Sequence, residues 1–351
     1  MTGITVTFHP FDLRNASDAE HKCLNDFKNK MNREYRPDDP PIPLDEFKQK
    51  HKTMPQFIEY EAYAGWNDSN DHIIAYCEID IYNTGVNEHL VDFIIEILPE
   101  YRRQGIGRQA LSLLLPFAKK HDRRLWFSYT TDRIPESVPF FERLDGRKGL
   151  EARINQLKVS EFDRNLPVEW LKKSDKLGDE FELGYWNGAY PDDHLQEISA
   201  LYEEVANDQP RDDLEMEDMK FSPELLRDFE QNMFARGDQR WTLYITDRSN
   251  KKIAGLTEVI WNPNREMILQ QGFTGVYPAY RSKGLGRWLK AEMIQKVLRE
   301  RPDVEYIRTG NANSNAPMLK INIEMGFKPY IANTIWQVET DKVEKYLGTR
   351  K

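Results

Sequence analysis

Apolar and polar residues alternate from Ile4 to Phe8, and strand-like runs recur over Phe57–Trp66, Ile73–Tyr82 and Leu90–Leu98, separated by Asn, Asp and Gly turn signals. A period of two sends successive side chains to opposite faces, so these runs predict a leading strand followed by a three-strand antiparallel meander. Between them, Ser17 is placed to cap a helix from Asp18 to about Tyr35, which the prolines at 37, 40, 41 and 43 end, and a short helix is predicted over Leu44–His51. Ile106, Ala110, Leu113, Leu114 and Phe117 then fall at helical spacing. Pro116 inside that run predicts a kink or an early stop. Leu125–Tyr129 reads as a fifth strand, Glu136–Leu144 as a helix and Leu150–Val159 as a closing strand.

After a charged stretch without strand pattern the same order starts again. Phe181–Trp186 is strand-like, Leu195, Ile198, Leu201 and Val205 mark a helical face within His194–Ala206, and Ser222-Pro223 opens a helix to about Phe234. Trp241–Thr246, Ile253–Trp261 and Met267–Tyr277 repeat the meander, Val304–Thr309 repeats the fifth strand, and Ile331–Val338 closes the pattern. The reading is two mixed α/β domains: 1–160, a linker at 161–179 that can hold a short helix around Trp170, and 180–351.

The strongest local signal sits after the last meander strand of each half. In the second it is Val276-Tyr277-Pro278-Ala279-Tyr280-Arg281-Ser282-Lys283-Gly284-Leu285-Gly286, and in the first Ile97-Leu98-Pro99-Glu100-Tyr101-Arg102-Arg103-Gln104-Gly105-Ile106-Gly107. The two arginines are 179 residues apart (281 minus 102), about half the chain, which points to a duplicated unit. Two glycines one residue apart let the backbone turn N–H groups toward one point, and the helix that opens there at the second glycine adds free donors and a positive dipole end. That is a pyrophosphate cradle, with Arg281 and Lys283 as further positive charge at its rim.

Arg-x-x-Gly-x-Gly after a strand resembles the acetyl-CoA pyrophosphate loop of the GNAT acetyltransferase superfamily, and Asn315-Ala316-Pro317 running to Gly326-Phe327 looks like that family's late Asn-containing helix. The resemblance spans nearly the whole chain as two units in tandem, as in mycothiol-synthase-like proteins. It implies two GNAT-like folds, each a mostly antiparallel twisted sheet flanked by helices. It also implies acetyl-CoA as cosubstrate and N-acetylation of an amine by direct transfer in a ternary complex. The cosubstrate would be held by Ile97, Arg102, Arg103, Gln104, Gly105, Ile106 and Gly107 in the first half. In the second it would be held by Thr274, Gly275, Val276, Arg281, Ser282, Lys283, Gly284, Leu285 and Gly286. In the family the acyl carbonyl meets backbone N–H groups where the fourth and fifth strands part, which places it at Thr274–Val276, with Glu96 and Ile97 the counterparts; Gly275 suits a bulge or a close approach of backbone to ligand there.

Glu258, on the third meander strand, is the candidate base, with Glu78 its first-half counterpart, though a glutamate in an alternating strand usually faces solvent. Asn315 either bonds the coenzyme arm or caps its helix. Many members of the family carry a tyrosine four residues before the late Gly-Phe; Asn322 stands there, and Glu142 in the first half, so no phenol is placed to protonate the thiolate. The first half also has Asp145-Gly146-Arg147 where Gly-Phe is expected and reads as a degenerate, structural or regulatory half. The acidic run Asn207–Asp218 is either a solvated loop or a lid whose Asp212, Asp213, Glu215 or Glu217 holds the acceptor's charge.

Composition narrows the alternatives. A net charge of −9 over 351 residues argues against a nucleic-acid backbone as partner; the surplus acid either favours a cationic small molecule or serves solubility alone, its commoner role. Two cysteines and seven scattered histidines provide no metal-ligand spacing, so no metal is expected. Met1 to Leu13 lacks a signal-peptide profile and no run approaches a bilayer span, so a cytoplasmic protein without membrane partner is expected, of unknown oligomeric state. Gly105-Ile106-Gly107-Arg108-Gln109-Ala110 formally matches a dinucleotide fingerprint, but several strands precede it, where that fold opens on its first. Two competing classes remain: a coenzyme-A-binding sensor or scaffold that does not turn over, and a protein lysine or N-terminal acetyltransferase.

Overall fold

The computed structural model describes residues 6–67, 69 and 72–348. In chain order the elements are β1 (Thr7–Pro10), α1 (Asp18–Tyr35), α2 (Leu44–Lys52), β2 (Ile58–Trp66), β3 (Ile73–Tyr82), β4 (Leu90–Ile97), α3 (Ile106–Lys120), β5 (Leu125–Thr131), α4 (Val138–Arg143), β6 (Arg147–Lys158) and α5 (Asn165–Ser174). There follow β7 (Phe181–Asn187), α6 (Leu195–Asn207), α7 (Pro223–Ala235), β8 (Gln239–Asp247), β9 (Ile253–Trp261), β10 (Ile268–Val276), α8 (Leu285–Glu300), β11 (Tyr306–Ala312), α9 (Ala316–Glu324), β12 (Lys328–Glu339) and α10 (Thr340–Gly348). The predicted mixed α/β class and the repeated order hold. The leading strand is shifted to Thr7–Pro10; Ile4 and Thr5 of the expected run lie outside the described residues.

The chain divides into two compact units: residues 1–152, 211–217 and 331–351 form one, and 153–210 with 218–330 the other. The halves therefore exchange their closing strands. In the first unit β12 pairs antiparallel with β5, from Asn333 opposite Thr131 to Glu339 opposite Leu125, so the strand expected to end the second half completes the first sheet. In the second unit β6 lies beside β11. The stretch expected as a linker is α5, whose Trp170 is buried in the second unit's core with Phe181 and Leu289.

Each sheet is an antiparallel meander with one parallel pair, β4 with β5 or β10 with β11. That parallel pair is short in both: Leu90–Asp92 meets Leu125–Phe127, and Ile268–Gln270 meets Tyr306–Arg308, after which the strands part. Pro116 does not stop α3, which runs on to Lys120. Burial of Leu111, Leu114, Phe117 and Ala118 on the same helix face outweighs the one hydrogen bond a proline forfeits.

Candidate functional site

Both glycine loops fold alike. Gly105 and Gly284 are the N-caps of α3 and α8 with φ of 89° and 96°, a left-handed conformation that a side chain would strain, so the helices open one residue before the second glycine. The first bonds of each helix run from residues 108 and 109 to Gly105 O, and from 287 and 288 to Gly284 O. The N–H groups of Arg103 to Gly107 and of Ser282 to Gly286 thus donate to no main-chain acceptor among the described residues, the donor set an anionic diphosphate requires. Arg102 Nε donates to Ile97 O at 2.9 Å and Arg281 Nε to Val276 O at 3.0 Å, so the arginine of each motif first serves to fasten the loop to its strand.

The loops differ in what else holds their charges. Arg102, with a side chain 15% exposed, is clasped by Glu34 and by Glu136 at 2.7 Å. Arg281 pairs with Asp208 and Lys283 with Glu180 at 3.0 Å, but every partner there is at least 38% exposed. Exposed pairs contribute ~0–1 kcal/mol, so a phosphate can displace them, whereas Arg102 is held twice and its pair with Glu34 is shielded, at 15% and 22% exposure.

The strands beyond the splay differ too. In β10 the pairing with β9 moves from Gln271 opposite Val259 to Thr274 opposite Thr257, a bulge of one extra residue at Gly272-Phe273. A bulge leaves a residue outside the ladder and frees its polar groups. Gly275, expected at a bulge or a close approach, is paired with Leu256; a Cβ there would come within 2.7 Å of the Phe273 ring and of Val205, so close packing requires the glycine. In the first unit β3 and β4 keep register without a break from Ala75–Ile97 to Asp80–Asp92.

Glu258 is 3% exposed, against the expectation that a strand glutamate faces water. Thr242 lies opposite it on β8, and the Arg240–Ile260 pair two residues on shares that face. α6 and the segment before it bring two phenols over the carboxylate: Tyr202 Oη donates to Oε2 at 2.5 Å and Tyr190 Oη to Oε1. Thr242 Oγ1 donates to Oε1 at 3.2 Å, and Arg240 Nε lies 3.4 Å from it. Arg240 also pairs with Glu230 of α7 and lies 3.6 Å over the Tyr190 ring, so the buried charges are matched. Burial, and then the Glu258 charge, hold both phenols well above the usual tyrosine range, so they are donors to the carboxylate at neutral pH.

These residues floor a cavity of about 340 Å³, walled by Phe221, Leu226, Phe229, Met233, Ile260 and Phe273. Phe273 of the bulge stacks on Tyr202 with centroids 4.0 Å apart, and Gln271 Nε2 donates to Glu258 O at 2.5 Å, so bulge and carboxylate are neighbours. The sequence reading singled out Glu258 but missed Tyr190, Tyr202, Arg240 and Glu230. The position of Tyr202 on the buried face of its helix was the available signal.

Asn315 caps α9, accepting from Met318 N at 3.4 Å, and is not among the cavity's lining residues. The lid expectation fails: residues 211–217 belong to the first unit, where Glu215 pairs with Arg124 and Arg147 and Glu217 accepts from Asn87 N at 2.8 Å. None of Asp212, Asp213, Glu215 or Glu217 lines the cavity. Among the described residues there is no cluster able to hold a metal ion, and no helix is long and apolar enough to cross a membrane.

Residues 24–146 match the model of the acetyltransferase (GNAT) family. No curated protein matches the sequence significantly. Among solved structures, a tandem GNAT protein from the clavulanic acid biosynthesis pathway is similar with a TM-score of 0.75 and 19% identity over 96% of this chain and 99% of that one. A GCN5-related N-acetyltransferase from Sphaerobacter thermophilus gives 0.66 at 12% identity, covering 95% and 96%. The glucosamine N-acetyltransferase region of a fungal multi-domain GH3 β-N-acetylglucosaminidase gives 0.63 at 12%, covering 95% of this chain and 38% of that one. Identities this low speak to fold alone. The chain carries a GNAT acetyltransferase domain at residues 24–146 and has the fold of a tandem GNAT protein.

Proposed function

We propose that the second unit transfers an acetyl group from acetyl-CoA to the nitrogen of a small amine, in a ternary complex. The observation that carries this is the meeting of three parts in one unit: a loop with five free N–H groups, a bulged strand at the splay, and a buried carboxylate in an adjacent cavity. When bound, the cosubstrate supplies a thioester carbonyl activated toward nucleophiles. Ser282 to Gly286 hold its diphosphate with main-chain N–H groups, and Arg281 and Lys283 exchange their surface partners for phosphate oxygens. Freed N–H groups at the bulge polarise the carbonyl.

Glu258 receives the proton of the attacking amine. Its Oε2 accepts only from Tyr202 among the described residues, which leaves a lone pair for the amine N–H, and the three donors on Oε1 keep the carboxylate oriented. Aromatic and aliphatic walls fit an acceptor with an apolar body and one amine, and do not fit a polycation, because Arg240 already pairs with both Glu230 and Glu258.

The test is thiol release from acetyl-CoA across a panel of apolar primary amines, cationic sugars and lysine peptides. Amine-stimulated release that Gly286→Trp abolishes supports the proposal; coenzyme binding without release for every amine supports a sensor instead.

A further inference from the structure

The walls of the cavity beside Glu258 are mainly rings. Tyr190, Tyr202, Phe221, Phe229 and Phe273 all line it, brought there by α6, α7, the bulge and the segments that lead into the two helices. Tyr202 stands at the centre of that set: Phe273 stacks on it at an interplanar angle of 17°, and Phe221 is tilted against it at 47° with centroids 5.7 Å apart. Leu226, Phe229, Glu230 and Met233 are three, one and three residues apart, so one face of α7 presents a ring and a thioether to the same space. Phe229 is 44% exposed although it lies on that face, so part of its ring is open for a ligand to cover.

The charged side chains of the lining are already matched to one another. Arg240 is the one cationic residue on it and lies against both Glu230 and Glu258, and Glu230 is paired with Arg227 of α7 as well. Tyr190 and Tyr202 give their hydroxyls to Glu258. Gln209, the remaining polar lining residue, is exposed just past α6. What is left is Glu258 Oε2, with Tyr202 its single donor among the described residues. The cavity therefore has a place for one cation and none for an anion. A carboxylate entering it would lie among rings and beside two glutamates, with the one guanidinium of the lining committed.

We propose that the acceptor is an arylalkylamine: a primary amine joined by a short alkyl chain to one aromatic ring, and carrying no carboxylate. This deepens the transferase reading above and rests on it. The ammonium pairs with Glu258 Oε2. Because Tyr202 both donates to that oxygen and belongs to the set of rings, an aryl group a few bonds from the nitrogen reaches Tyr202 and Phe221. There it makes the offset and edge-to-face contacts that a saturated group of the same size cannot make, and meets the Met233 thioether. A cavity of about 340 Å³ is near the lower end of the ~300–1,000 Å³ typical of small-molecule sites, which is room for one ring and its chain and not for a peptide.

The experiment measures kcat/KM, expressed per neutral amine, for thiol release from acetyl-CoA by the full-length chain. The acceptors are phenethylamine, its saturated analogue cyclohexylethylamine, phenylalanine and phenylalanine methyl ester. Phenethylamine should exceed the saturated analogue about fivefold, through the ring contacts. It should exceed phenylalanine about 10²-fold or more, and the ester, which keeps the bulk without the charge, should recover to within about tenfold of phenethylamine. Phe221→Leu should bring the ratio of phenethylamine to its saturated analogue toward one, and so should Phe229→Leu, whose exposed ring makes it the variant safer for folding. A saturated analogue used equally well, phenylalanine used as well as phenethylamine, or a ratio unchanged in both variants overturns the proposal and leaves the transferase reading standing. No release with any of the four overturns the proposal too, and the wider amine panel then decides the transferase reading by itself.

Discussion

In the first unit β3 and β4 stay in register along their whole paired length, the loop arginine is clasped by two glutamates, and a leucine fills the middle of α3. In the second, β10 bulges by a residue, the loop's cations pair with exposed carboxylates, and a lysine is buried where the leucine was. Both have the same loop, with a left-handed glycine at the same place. On the proposed function the glycine motif marks the scaffold, while the departures from regular packing fall in the half proposed to carry the chemistry: a buried ammonium with one neutral acceptor and a broken ladder each cost stability that the sister unit does without. The family model matches the first half, the one without these departures.

Glu258→Gln should show the contrast most strongly, lowering kcat about 10²–10³-fold in steady-state thiol release, whereas Glu78→Gln should stay within about twofold. Equal losses would make the units equivalent. Removing the loop cations should come next: Arg281→Ala should raise the acetyl-CoA KM about tenfold, and Arg102→Ala should leave it unchanged while lowering the melting temperature, since its two glutamates lose their shielded partner. Tyr202→Phe should lower kcat about fivefold to tenfold, because Glu258 Oε2 loses its one donor.

The smallest effect is on stability. Lys290 has a folded pKa of about 8 against 10.5 for the free side chain, so the unfolded chain binds more protons between those values and native stability rises as pH climbs through that window. Below pH 8 the penalty is present in full. Lys290→Leu should therefore raise the melting temperature by about 2–5 °C at pH 7, and that advantage should fade toward pH 10.5. A pH-independent difference would mean the lysine is not the titrating group.

Much of the fold was legible because it rests on local signals. Ser17 and Ser222 cap the helices they precede, and β3 and β9 begin and end where alternation placed them. The exchange of closing strands was not legible, since strand pattern in β6 and β12 says which residues form a strand and not which neighbour each strand pairs with. At the site, Gly284 and Glu258 could be singled out by motif and by place in the meander. The partners of Glu258 could not, because Tyr190, Tyr202, Thr242 and Arg240 come from four places in the chain and meet only when β8, β9 and α6 pack. Gly275 was legible only as a pair of alternatives, because a glycine in a strand signals a bulge or a close approach alike; the close approach here is of the Phe273 and Val205 side chains.

The most direct test is titration calorimetry of coenzyme A into the intact chain and into Gly286→Trp and Gly107→Trp. The account predicts binding that Gly286→Trp abolishes and Gly107→Trp leaves intact, one coenzyme per chain through the second loop. No binding to the intact chain, or binding that survives Gly286→Trp and disappears with Gly107→Trp, would contradict it.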